Sequence, residues 1–139
     1  MAGGPNKDPI TCHVLDTTAG RPAKGIRVRL EGGATPSSTA PPVTFESATD
    51  DDGRIISWLP YISDHAAGEV PVYTLLDVLA QIQGQGPTTW TLRFDTASYF
   101  GEDKTFFPEV VVAFRVEEGQ TYHVPLLLSP YSYSTYRGS

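Results

Sequence analysis

Residues 122–139 read YHVPLLLSPYSYSTYRGS, and this stretch decides the fold class. Val124, Leu126 and Leu128 recur at every second position, the period of a half-buried strand. Ser129-Pro130 interrupts it, and a second extended run covers 131–135 before Tyr136-Arg137-Gly138-Ser139. Disordered ends are rich in charge and small polar residues. This one is aromatic and β-favouring, so it is expected to be built into the fold. A guanidinium, a phenol, a hydroxyl and a free carboxylate crowded at an ordered terminus can form a polar site.

Working outward, the same period recurs. Ile10, Cys12 and Val14 share one face of a strand over 10–16, while Thr11, His13 and Leu15 share the other. Ile26, Val28 and Leu30 alternate with Arg27, Arg29 and Glu31 in the clearest strand, over 25–32. Strands are also predicted over 43–48, 88–94 and 109–117, the last with Val110, Val112, Phe114 and Val116 on one side. Asp52-Gly53 is a hairpin signal, and the returning strand begins at Arg54. Val72, Leu75, Leu76, Leu79 and Ile82 fall at helical spacing, with Pro71 in the first turn and Gly84 at the end; a strand over 70–76 is the alternative. Asp95-Thr96 caps a second short helix over 97–101. Seven to eight short strands with one or two short helices predict an all-β sandwich.

The chain has 139 residues, 40% of them apolar and 11% aromatic, enough for one core. A net charge of −6 with scattered acids argues against a nucleic-acid or anionic-membrane partner. No apolar run reaches the roughly 20 residues of a membrane helix. Residues 1–9 are rich in Gly and Pro, lack a signal-peptide core and are expected to be flexible. The single Cys12 suits a reducing compartment and shares parity with core positions. An intracellular, cytoplasmic protein is expected, with the peroxisome as alternative, although the Ser-Lys-Leu address is absent. There is no Gly-x-Ser-x-Gly elbow, phosphate loop or dinucleotide fingerprint. His65 has no partner motif and reads as surface. Two or three histidines fall short of the ligands a catalytic zinc usually requires, so neither metal nor cofactor is expected.

The C-terminal YRGS resembles the signature of the 5-hydroxyisourate hydrolases, the transthyretin-like proteins of purine breakdown. Transthyretin itself shares the SPYSYST stretch but lacks YRGS. Further blocks match that family in order: ITCHVLDTTAGRPAKGIRVRLE at 10–31, TDDDGRI at 49–55, LRFDTASYF at 92–100 and FFPEVVVAFRV at 106–116. The resemblance implies the transthyretin (prealbumin-like) sandwich of two four-stranded sheets over 10–139, with 60–87 as an insertion at the sandwich edge or as an added surface helix. It also implies a homotetramer, a dimer of dimers with sites in a channel where dimers meet. Leu15 and Leu127, facing away from the core, fit a covered face.

Read from parity alone, His13 and His123 are surface histidines. The resemblance makes them site residues, and imidazole, with an ordinary pKa of about 6.5, suits a base that activates water and an acid that protonates a leaving nitrogen. By the same resemblance Arg54 binds substrate, and its guanidinium can steady negative charge on a carbonyl oxygen under attack. Tyr136, Arg137 and Gly138 are assigned to substrate binding and Ser139 to catalysis, Gly138 letting the chain turn where a side chain would obstruct it. The implied reaction opens a cyclic amide of 5-hydroxyisourate, giving 2-oxo-4-hydroxy-4-carboxy-5-ureidoimidazoline in urate catabolism. Two other readings are a transthyretin-like carrier of a small aromatic ligand and a β-sandwich adhesion module. The polar set of His13, Arg54, His123 and YRGS speaks against both.

Overall fold

The computed structural model describes residues 7–33, 42–61 and 73–138. His65, Pro71, Val72 and Ser139 lie outside the described residues. Ten strands and two helices occur among those described: β1 (Ile10–Asp16), β2 (Arg21–Pro22), β3 (Arg27–Gly32), β4 (Val43–Ala48), β5 (Arg54–Ile55), β6 (Leu59–Pro60), α1 (Leu75–Gln81), β7 (Thr88–Phe94), α2 (Thr96–Phe100), β8 (Val110–Val116), β9 (Tyr122–Ser129) and β10 (Ser132–Thr135). They form two sheets. One runs β10-β9-β1-β2, with β5 also paired to β1; the other runs β6-β4-β3-β7-β8. The fold is an all-β sandwich, as the alternation predicts. Each sheet has five members rather than four, because the two-residue pieces β2, β5 and β6 complete the edges.

The core lies between the sheets. Alternate residues of β1 (Ile10, Cys12, Val14), β7 (Trp90, Leu92, Phe94) and β9 (Val124, Leu126, Leu128) are buried there, together with Phe45 and Leu30. Each such large side chain contributes about 2 kcal/mol by leaving water. β1 pairs in parallel with β9 over its whole length, from Ile10↔Tyr122 to Asp16↔Leu128. The beginning and end of the chain are thereby sewn into the middle of one sheet.

Two local expectations change. Asp50–Arg54 does form a turn, with Gly53 N–H donating to the Asp50 carbonyl at 2.9 Å. It does not close a hairpin with β4, however. β4 pairs with β3 and β6, while β5 crosses to the other sheet and pairs with β1. The helix predicted around 72–82 begins at Leu75. Thr74 caps it, its hydroxyl accepting from Asp77 N–H while the Asp77 carboxylate accepts from Thr74 N–H. That reciprocal box satisfies two free amides and sets the start. α1 packs against the core through Leu75 and Val78 and leaves Leu76 exposed. α2 starts as expected, Asp95 accepting from Ser98 N–H.

Candidate active site

The site is built on the outer face of the β1–β9 pair. In β1, Thr11, His13 and Leu15 are half-buried between the fully buried Ile10, Cys12 and Val14. In β9, His123 and Leu127 occupy the same outward rows. The parallel register sets Thr11 beside His123 and His13 beside Pro125. Residues in register across two strands point to the same face, so the imidazoles meet there. Their ring centroids lie 6.3 Å apart with a 32° tilt.

Arg54 reaches this face because of the turn before it. Asp50 Oδ1 accepts from the N–H of both Asp52 and Arg54 at 2.9 Å, a local side-chain bond that folds the loop back on itself. Gly53 has φ +73°, and a Cβ there would lie 2.4 Å from the Val14 carbonyl oxygen. Only glycine allows the close approach, through which Val14 N–H donates to the Gly53 carbonyl at 2.8 Å. That bond draws the loop onto β1 and fixes the register His13↔Arg54. The lost hairpin is therefore what puts the guanidinium next to the first histidine.

The C-terminal segment arrives from the other side. Gly138 bridges His123, donating its N–H to the His123 carbonyl at 2.8 Å. A Cβ on Gly138 would stand 2.8 Å from His123 Cδ2 and 3.1 Å from Pro125 Cγ. Glycine is needed here for space against the imidazole, not for a left-handed turn. Arg137 points elsewhere. Its guanidinium lies 4.7 Å from the centre of the Tyr122 ring and donates to Gln120 Oε1 at 3.2 Å. Tyr122 is buried, and Arg137 lies exposed beside its ring. Tyr136 is 59% exposed and borders a hollow of about 290 Å³ shared with Phe114, Tyr122, His123 and Arg137. The structure thus gathers His13, Arg54, His123 and Gly138, and turns the Arg137 guanidinium to Tyr122 and Gln120.

A groove of about 450 Å³ opens beside His123, lined by Lys7, Asp8, Thr11, Arg54, Thr121 and His123 among others. Four of these, Lys7, Asp8, Thr11 and Thr121, are residues that sequence reasoning missed. Thr11 was legible, since it shares parity with His13; its Oγ1 lies 2.8 Å from His123 Nδ1. Lys7 and Asp8 carry no signal, standing in a segment read as flexible. Asp8 is tied down at both ends of its contact with 56–58: its N–H donates to the Ile56 carbonyl and its Oδ2 accepts from Trp58 N–H, each at 2.8 Å. Burial raises the Asp8 carboxyl above its usual range, against that Trp58 bond.

Both imidazoles are held below the ordinary histidine pKa. Burial is the main cause for each, and the Arg54 charge the next. His123 is lowered further by His13 and Lys7. His13 is partly restored by its hydrogen bond to the Asp52 backbone and by the Asp50 and Asp52 carboxylates. Two neutral imidazoles beside a fixed cation can accept a proton from water while the cation meets an anion.

Comparison with known proteins places these features in context. The sequence model described as the HIUase/Transthyretin family matches residues 10–138. A probable 5-hydroxyisourate hydrolase of Schizosaccharomyces pombe is 35% identical over 140 residues, covering 97% of this chain and 94% of that protein. The uric acid degradation bifunctional protein TTL of Arabidopsis thaliana is 39% identical over 150 residues, covering 96% of this chain; the chain spans 38% of that protein's length. Sea bream transthyretin, solved in complex with thyroxine, superposes with a TM-score of 0.65 at 22% identity, over 94% of this chain and 95% of that one. The last likeness concerns the fold alone. With the family model spanning all ten strands, both helices and the histidine pair, the chain belongs to the HIUase/Transthyretin family.

Proposed function

We propose that the chain is a 5-hydroxyisourate hydrolase acting in urate catabolism. The fold does not choose this activity, since a thyroxine-binding transthyretin shares it. The relatives named for the hydrolysis support it. So does one structural observation above the rest: the register that sets Arg54 opposite His13, with His123 on the neighbouring strand of the same face. A hydrophobic carrier channel gains nothing from a guanidinium beside two imidazoles.

In the mechanism we favour, the histidine pair takes a proton from water. The hydroxide equivalent forms a C–O bond to a ring carbonyl, and Arg54 meets the negative charge on the tetrahedral oxygen. The ring C–N bond then breaks, the proton passes to the leaving nitrogen, and a carboxylate remains. Water is consumed and no oxidant is required. Gly138 fits the C-terminal segment against His123, Tyr136 contacts substrate, and Ser139 contributes its hydroxyl. Arg137 orients substrate if it leaves Tyr122 when the assembled protein forms. That assembly is a homotetramer, a dimer of dimers. Leu15 and Leu127, in register on the histidine face and half-buried in the single chain, support burial of this face against another copy. Among the described residues no helix is long and apolar enough to cross a membrane. The buried free thiol of Cys12 suits the reducing cytoplasm or the peroxisome.

The test follows the ultraviolet decay of 5-hydroxyisourate generated from urate by urate oxidase. Decay much faster than the spontaneous rate, abolished by His123→Asn in a folded protein, is expected. Spontaneous-rate decay with the wild-type chain, tagged only at its N-terminus, overturns the reading.

A further inference from the structure

We propose that Thr11 is a positioning residue, whose hydroxyl holds the His123 ring as the Nδ1–H tautomer and leaves Nε2 as the nitrogen that takes the proton from water. This rests on the hydrolase reading of the site. It adds which histidine nitrogen accepts the proton and what keeps it available.

The geometry is specific. Thr11 Oγ1 lies 2.8 Å from His123 Nδ1 and 3.4 Å from the Tyr122 carbonyl oxygen. A hydroxyl has one proton, so two arrangements compete. In the first, Thr11 donates to Nδ1. The ring then carries its own proton on Nε2, and the nitrogen facing the groove is a donor with no lone pair to offer. In the second, Nδ1–H donates to Oγ1 and the hydroxyl proton turns to the Tyr122 carbonyl. Nε2 is then bare. Only the second arrangement uses both contacts.

The second arrangement also persists through the reaction. When Nε2 takes a proton the ring becomes an imidazolium, both of whose nitrogens donate. The bond from Nδ1–H to Oγ1 is already in place and strengthens with the charge. In the first arrangement two protons would face each other at that moment, and the hydroxyl would have to swing away during the step. The step balances within the ring: one water O–H bond breaks, the proton enters Nε2, and the same proton leaves to the departing ring nitrogen.

The imidazole has little freedom to evade this assignment. Thr11 occupies its Nδ1 edge. The Gly138 backbone backs its Cδ2 edge so closely that an added Cβ would stand 2.8 Å away. The Cε1–Nε2 edge remains for the groove that Thr11, Arg54 and His123 line together. The pairing is built into the sheet, since Thr11 and His123 are direct partners in the β1–β9 register.

The test reads the tautomer itself. Nitrogen-15 labelled protein is taken above the histidine titration, and the ring nitrogens are observed by long-range nitrogen–proton correlation. For His123 in the wild type, a protonated Nδ1 and a bare Nε2 are expected. Thr11→Val should shift the ring toward Nε2–H and lower kcat roughly ten- to hundredfold, the scale on which a metal-bound histidine suffers when it loses its orienting partner, with KM little changed. Thr11→Ser should restore both. A wild-type ring protonated at Nε2 overturns the proposal, even if the valine variant fails to fold. So does a valine variant with unchanged tautomer and kcat. His123→Asn separates the two levels: lost turnover there with an Nε2–H wild-type ring defeats only the role of Thr11, whereas retained turnover defeats the site reading beneath it.

Discussion

The outer faces of the two sheets handle charge in opposite ways. On the β3–β7–β8 face the two facing arginines, Arg29 and Arg93, each have a neighbour. Arg93 pairs with Glu31 at 2.6 Å and with Glu109 at 3.1 Å. Arg29, directly across from Arg93, lies 4.2 Å from the centre of the Tyr61 ring and donates to its hydroxyl. The like charges facing each other are thus offset by diagonal partners. On the β1–β9 face Arg54 stands beside His13 and His123, and among the described residues it forms no ion pair. The ion pairs of the first face stabilise little, because exposed pairs contribute only about 0–1 kcal/mol. The second leaves a cation and two neutral bases unmatched, an arrangement that costs stability and makes sense if a ligand supplies the missing charge.

Substituting the two arginines should separate the faces most sharply. Arg54→Gln is expected to lower kcat/KM by roughly 10²- to 10³-fold, the usual cost of one oxyanion partner. It should also move both imidazoles upward, toward about 6.5, because the Arg54 charge is one of the causes holding them down. Proton NMR titration of the histidine rings checks this directly. In the wild type the acid limb of kcat/KM should fall below about 6.5 and move to higher pH in the variant. The same depression has a sign for stability. Between the folded and unfolded histidine pKa values the unfolded chain binds more protons, so this contribution is present above about pH 6.5 and is lost as pH falls through the folded values. Histidine resonances unmoved by Arg54→Gln would remove the basis of the comparison.

A smaller effect is expected from Gly138→Ala. The new Cβ would meet the His123 ring, so either the C-terminal segment lifts or the ring tilts. Turnover should fall by up to roughly a hundredfold, the scale of an ångström of misplacement. Stability should change by less than about 1 kcal/mol, since only one edge residue is disturbed. A thermal melt alongside turnover distinguishes the two. Smallest of all, Arg93→Gln should leave turnover unchanged and shift stability by no more than about 1 kcal/mol. A large loss of turnover there would mean that the two faces are not separable.

The strands were legible because their period is local. His13 and Thr11 could be assigned to an outward row by counting along β1, and His123 by counting along β9. Asp52-Gly53 was legible as a turn, and Arg54 as the residue after it. Its partner was not, because the turn residues set a local bend and say nothing about which strand receives the chain. That was decided by the hydrogen bond from Val14 to Gly53, between residues on different elements. Capping Thr74 and Asp77 were present to be read, yet the apolar spacing from Val72 drew the helix start too early. Arg137 shows the limit of a motif. It adjoins Gly138 in sequence, but its guanidinium turns to Tyr122 and Gln120.

By itself the sequence determined the all-β class, the buried and outward rows of the longer strands, the turn at Asp52-Gly53, and the set of histidines, arginines and C-terminal residues from which a polar site could be made. Tertiary structure decided which of them meet. The parallel pairing of β1 with β9 joins Thr11 to His123 across 112 positions, and the handover of 50–54 from one sheet to the other adds Arg54. Neither follows from periodicity. Side-chain alternation is dictated by the backbone of each strand alone, whereas the choice of neighbouring strand depends on how two sheets together cover one core.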